Sequence, residues 1–252
     1  MTNDRRKRAQ RAEQMRLERQ QAAKRQRMLL TGGIVLAVIV VIALGAWAVN
    51  SSGNKVDHSN LSKVFVAPHN VGDDYNITYD TKTVTGTAAS NPVKVSLYED
   101  FQCPICNDFE KQKGDFLTQS LRSGDITIDW HPVSILDRQS KTEYASRALN
   151  AALCVLDTTD VETYARMHEL LYANQPKEGS DGLSDAKLVA LAKQAGAGDL
   201  TSCITTRKFG PWIIKATAVA TKDGLPGTPW IKVGGKEVNG GDIETAVAAA
   251  KS

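Results

Sequence analysis

The chain has 252 residues, enough for one domain of ordinary size plus extra segments, and 31 basic against 28 acidic residues leave a formal charge of only +3. That balance is uneven: residues 1–28 hold ten Lys/Arg against Asp4, Glu13 and Glu18, a local +7, so the rest of the chain sums to −4. A basic tail invites a nucleic-acid reading, but no aromatic residue interleaves these cations, which speaks against a nucleic-acid partner.

The tail abuts Leu29–Val49, a stretch without a charged residue. Twenty-one helical residues rise about 30 Å, the thickness of a bilayer core. Positive charge before the span keeps the N-terminus in the cytoplasm and the residues after Asn50 outside. The expectation is a single-pass cell-membrane protein with residues 1–28 as cytoplasmic tail and 29–49 as signal-anchor. Ala46-Trp47-Ala48 leaves cleavage after Ala48 open, although the apolar run exceeds the roughly 7–15 residues of a signal-peptide core. Either reading exports the remainder.

Residues 50–60 are polar and rich in Ser, Asn and Gly, a flexible linker. In 61–91, Val64-Phe65-Val66 and Ile77-Thr78-Tyr79 read as strands, so this part supplies a strand or hairpin at a sheet edge, with a disordered stalk as the alternative. Val93, Val95 and Leu97 alternate with Lys94, Ser96 and Tyr98 and predict a strand over 93–98. Phe109, Phe116, Leu117 and Leu121 recur at helical spacing and predict a helix over about 104–122. Ile126–Trp130 alternates as a strand before Pro132. Helical periodicity follows over about 141–157, 160–174 and 184–195, then 200–206, and from Pro211 to Thr221. A strand at 230–233, a Gly234-Gly235 turn, Glu237-Val238 and a helix at 242–251 complete the pattern.

Cys103-Pro104-Ile105-Cys106 stands at the first strand-to-helix junction. Pro104 falls at the first helical position, where a missing N–H costs nothing. Cys103 then sits where backbone N–H groups and the helix dipole favour a thiolate, so it is expected to be the exposed nucleophile. Cys106, one turn in, is expected to be the more buried, resolving thiol. Four cysteines in an oxidising compartment read as two disulfides, Cys103 with Cys106 and Cys154 with Cys203, the second structural. Zinc is the rival for any four cysteines, but Cys154 and Cys203 are isolated rather than paired at ligand spacing, and no metal is expected.

Gly227-Thr228-Pro229 precedes the strand Trp230–Val233. The run Tyr98-Glu99-Asp100-Phe101-Gln102-Cys103-Pro104-Ile105-Cys106 resembles the active-site segment of DsbA-like members of the thioredoxin superfamily, close to the membrane-anchored actinobacterial type. Thr228-Pro229 resembles their cis-proline loop. The resemblance covers roughly residues 92–250 and is specific at these two motifs.

It implies an α/β, thioredoxin-like fold over residues 61–252 with an inserted helical block at about 136–210, preceded by one transmembrane helix. It implies a thiol–disulfide oxidoreductase, in the first place an oxidase that donates the Cys103–Cys106 disulfide to exported proteins with cysteines. No bound cofactor is implied, and reoxidation falls to a quinone-linked membrane enzyme of the DsbB or vitamin K epoxide reductase type. The alternatives are a reductase or isomerase, for example in cytochrome c maturation, and a non-catalytic tethered binding domain.

By the same resemblance Thr228 and Pro229 offer a backbone edge to an extended substrate, and Phe101 is expected to line the groove, with Phe109 and Trp212 in the core. Two positions depart from the family. Ile105 lacks the donor of the histidine found there in a well-known member, which predicts a milder oxidant. Leu97 stands six residues before Cys103, where many thioredoxin-fold proteins hold a buried carboxylate. Glu99 shares the strand face of Leu97 and is the candidate proton relay, with Asp100 as the second candidate or a cap of the turn.

Overall fold

Val93–Glu99 (β2) is the axis of the domain, because its alternate residues Val93, Val95, Leu97 and Glu99 are all turned inward. The computed structural model describes Val64–Lys251. The basic tail, the apolar span 29–49 and the linker 50–60 lie outside these residues. Among the described residues no helix is long and apolar enough to cross a membrane.

Five strands form one sheet in the order β1-β3-β2-β4-β5, where β1 is Ile77–Tyr79, β3 Ile126–Pro132, β4 Trp230–Val233 and β5 Lys236–Val238. β2 and β3 run parallel, with Val95 opposite Ile128, and the remaining neighbours are antiparallel. Parallel neighbours need a crossover. Here it is helix α2, Pro104–Ser123, after the five-residue α1, Thr81–Thr85. Gly124 ends α2 in the left-handed conformation (φ 81°), and Asp125 N–H closes on the Ser120 carbonyl as in a Schellman cap. Gly234 and Gly235, both at positive φ, make the two-residue turn between β4 and β5.

Between β3 and the return to the sheet come a 3₁₀ turn (Ile135–Gln139), α3 (Tyr144–Thr158), α4 (Val161–Ala173), α5 (Asp185–Ala195) and α6 (Thr201–Thr205). α7 (Gly210–Lys222) and, after β5, α8 (Ile243–Lys251) complete the chain. α3 is buried on nearly every face, and its alanines at 145, 148, 151 and 152 let α4, α5, α6 and α7 pack around it. Asp160 and Ser184 cap α4 and α5 by accepting from the N–H groups of Thr163 and Lys187. Buried Arg147 donates to the carbonyls of Thr142, Asp181 and Leu183 and to the Asp185 carboxylate, so one guanidinium ties the segment leading into α5 to the start of α3. Cys154 and Cys203 are disulfide-bonded across 49 positions, with Cα atoms 6.0 Å apart, and staple α6 to α3.

Two expectations need correction. Val64–Val66 form no strand and are exposed; the chain turns at Asn70 and Tyr75, both at positive φ, and enters the sheet edge only at Ile77. The short α1, capped by Asp80, was not expected. His131 stacks on Tyr98 at 4.3 Å between ring centres, a packing role on the sheet.

Candidate functional site

β2 ends in a tight loop, Asp100–Gln102, that delivers Cys103 to the start of α2. Cys103 N–H donates to the Asp100 carbonyl at 2.9 Å, and the Asn107 N–H returns to the Cys103 carbonyl at 3.3 Å as the helix begins. The buried Asp100 carboxyl accepts from the N–H of Gln102 (2.8 Å) with one oxygen and from that of Leu136 (2.9 Å) with the other. Burial still holds its pKa up at about 8. Both its oxygens serve the backbone, so Asp100 is the cap of the turn and a tie to the helical block, and the relay reading of this residue is set aside.

Gln175, just past α4, fastens the loop from the other side. Its amide donates to the carbonyls of Phe101 (3.1 Å) and Cys103 (2.9 Å) and accepts from Asn107 (3.1 Å).

The two free thiols occupy opposite environments. The Cys103 thiol lies 3.3 Å from the Thr228 carbonyl, and the Thr228–Pro229 peptide bond is cis. Its pKa is held down at about 6, first by a hydrogen bond from the Cys106 thiol and then by the Thr228 side chain and the N–H groups of Cys106 and Ile105, against burial, which raises it. Burial pushes the Cys106 thiol far above the ordinary range, helped by the hydrogen bond to Cys103 and the charge of Glu99. Cys106 is wholly buried, as expected, but Cys103 is only 5% exposed, so the expectation of an exposed nucleophile is corrected. The exposed residues of the motif are Pro104 and Ile105, the latter at 64%.

Ile105, Phe109, Thr228, Pro229 and Trp230 line a groove of about 510 Å³ beside the dithiol. Phe101 does not contribute to it. Its ring is 3% exposed and packs against His168 and Tyr172, which corrects its assignment to the groove. Phe109 has the opposite fate: largely buried, it still forms part of the groove wall, whereas Trp212 is core.

Glu99 points inward, as strand alternation predicts. Burial pushes its pKa to about 8. Two residues that sequence reasoning missed meet it there: Glu110 on α2, also pushed by burial to about 8, and His168 on α4, whose imidazole is pushed down by burial. His168 Nε2 lies 3.1 Å from Glu99 Oε2, and donor atoms of all three residues lie within 4.8 Å of one another. Two carboxyls and an imidazole are a donor set that could hold a divalent cation. They are equally a set that can share protons. The one signal in the sequence was a polar residue in a buried stripe, because Tyr164, His168, Leu171 and Tyr172 fall on one face of α4.

The family model for thioredoxin matches residues 78–250. DsbA from Mycobacterium tuberculosis is 32% identical, with a TM-score of 0.55 over 69% of this chain and 99% of that one. The MdbA protein of Corynebacterium diphtheriae, a thiol-disulfide oxidoreductase, is 28% identical, with a TM-score of 0.60 over 79% and 100%. The disulfide bond oxidoreductase DsbG of M. tuberculosis is 28% identical, with a TM-score of 0.57 over 72% and 97%. The serine/threonine-protein kinase PknE of M. tuberculosis is 29% identical over 157 residues, 59% of this chain but only 28% of that kinase's length, so the likeness concerns one portion of it. The chain belongs to the thioredoxin family and, within that superfamily, is a DsbA-like protein carrying the dithiol of a thiol–disulfide oxidoreductase.

Proposed function

We propose that this protein is a membrane-anchored, extracytoplasmic oxidase that donates the Cys103–Cys106 disulfide to exported proteins. The observation that carries the reading is the split between the thiols: Cys103 is held down at about 6 while Cys106 is pushed far up. A thiolate stabilised in the reduced form makes the disulfide easier to give away.

A substrate thiolate attacks Cys103 Sγ, the Cys103–Cys106 bond breaks, and the electron pair leaves on Cys106. That buried sulfur must take a proton at once, and the protonated Glu99 is the acid placed to supply it. The second substrate thiolate then attacks the substrate's own sulfur in the mixed disulfide and expels Cys103 as a thiolate, a good leaving group at its lowered pKa. The substrate leaves oxidised by two electrons, the dithiol is reduced by two, and one proton is released overall. Thr228 and Pro229 hold the substrate in extended form along the groove beside Cys103. A quinone-linked membrane enzyme of the DsbB or vitamin K epoxide reductase type, the partner implied by the family, restores the disulfide.

The test is the equilibrium of the full chain with glutathione. A thiol at about 6 lies between thioredoxin, about 7, and DsbA, about 3.5. The expected potential therefore lies between about −270 and −120 mV. A value at or below about −270 mV would reverse the direction and make the chain a reductase.

A further inference from the structure

Helix α2 has two working faces. Ile105, Asp108, Phe109 and Gln112 face the substrate groove. Asn107, Glu110, Lys111, Gly114 and Thr118 face a separate cavity of about 460 Å³, closed on its far side by Ala165, His168, Glu169 and Tyr172 of α4 and floored by Tyr79, Ile128 and Trp130. Glu99 is not part of that cavity's wall, whereas Glu110 and His168 both are. The three together connect the back of the dithiol to the α2–α4 cavity.

We propose that Glu110 and His168 carry the proton between Glu99 and solvent through the α2–α4 cavity each time Cys106 passes between thiol and disulfide. The inference rests on the oxidoreductase reading and concerns where its buried proton goes. When a mixed disulfide stands on Cys103, its partner covers the groove side of α2, and Cys106 has no exposed surface of its own. Resolution then requires Cys106 Sγ to lose its proton as it attacks Cys103 Sγ and the partner sulfur leaves with the electron pair. Glu99 hands its own proton on to His168 or Glu110 and takes the one from Cys106. A buried imidazole held neutral can accept at one nitrogen and release at the other, and two neighbouring carboxyls that burial keeps protonated can pass a proton between them.

The titratable groups around the pair are Cys106 from the dithiol, Tyr164, Glu169 and Tyr172 from α4, and Tyr79 from β1. Lys111 and Asp115 stand at the mouth. The tyrosines are all held above their ordinary range, so they stay protonated and compete little. Gly114 keeps the wall thin: a Cβ there would meet only Glu110 Oε2, at 3.8 Å.

The test follows reoxidation of the reduced full chain by oxidised glutathione at pH 7, trapping the mixed disulfide and its resolution separately. E110Q and H168A should slow resolution at least about a hundredfold, the low end of what a positioned acid or base contributes. Formation of the mixed disulfide at Cys103 should keep its rate. Imidazole should restore resolution in H168A by entering the cavity, and G114L, which removes no titratable group and favours the helix, should slow it by filling the wall. Resolution at the parent rate in E110Q and G114L would overturn the proposal even if H168A fails to fold. So would slowing that imidazole leaves unchanged, or stoichiometric zinc binding lost in E110Q, since a cation there occupies the lone pairs the proton needs. Failure of Cys103 to form any mixed disulfide would instead sink the oxidoreductase reading itself.

Discussion

The two cysteine pairs of this chain show that proximity of sulfurs decides little and surroundings decide much. Cys154 and Cys203 come from helices 49 positions apart and lie in an apolar block, with Asn150 donating to the Cys203 carbonyl and accepting from Phe209 N–H. Cys103 and Cys106 are neighbours on one turn, and their surroundings separate their proton affinities: the Cys106 thiol, Thr228 and helix N–H groups hold Cys103 down against burial, while burial, the Cys103 hydrogen bond and Glu99 push Cys106 up. One pair closes a loop, and the other moves electrons.

The sharpest way to break this comparison is C103S. Exchange with glutathione should fall to the uncatalysed background while the fold, read by circular dichroism, is kept. Removing the other pair, C154A with C203A, should do the reverse. The potential of Cys103–Cys106 should hold, and unfolding in denaturant should show a loss of about 4 kcal/mol, the loop-closure value for a loop of this length. Loss of exchange in the double variant would mean that the staple also shapes the active-site loop.

A weaker effect comes from pH. Glu99, Asp100 and Glu110 are held at about 8 in the folded state, against 3.8 to 4.5 as ordinary carboxyls. Between those limits the folded state binds more protons than the unfolded one, so stability falls as pH rises. Cys103 acts in the opposite sense, and only when reduced. Its depressed pKa contributes stability that is full above about 9 and lost as pH falls through about 6. The oxidised protein is therefore expected to lose stability between pH 5 and 8, and the reduced protein to lose less. Equal slopes in denaturant melts of the two forms would mean that the Cys103 thiolate is not specially stabilised.

What was legible in the sequence is what is local. The alternation of Val93, Val95 and Leu97, the proline at the head of α2, the dithiol spacing and the inward turn of Glu99 follow from periods of two and 3.6. Thr228-Pro229 was legible only through family resemblance, since a turn proline looks the same. Glu110, His168 and Gln175 were not legible because the helical block brings two of them to the site from about seventy positions away, while Glu110 reads as an ordinary polar helix residue. Phe101 misled for a related reason. Adjacent to the dithiol in sequence, it is turned away from the groove by the Asp100 cap and packs on α4. Val64–Val66 misled because β-branched residues have strand propensity without a guaranteed partner.

The smallest expected effect bears on how much of the polarisation is set from the groove side. Ile105 is 64% exposed, so its substitution leaves the packing intact, and its side chain offers the neighbouring thiolate no hydrogen. In I105H an imidazole would stand in the first turn of α2, able to donate to Cys103 and to carry positive charge near it. That should lower the Cys103 pKa below about 6 and favour the reduced form. A tenfold gain corresponds to a rise in potential of about 30 mV, or about 1.4 kcal/mol, measured against glutathione. The iodoacetamide reactivity of Cys103 should then fall off at a lower pH than in the parent chain. If neither quantity moves, the hydrogen bonds from Cys106 and the helix N–H groups already saturate the thiolate. The oxidising strength of the site would then be governed from behind, by Cys106 and the acids that serve it.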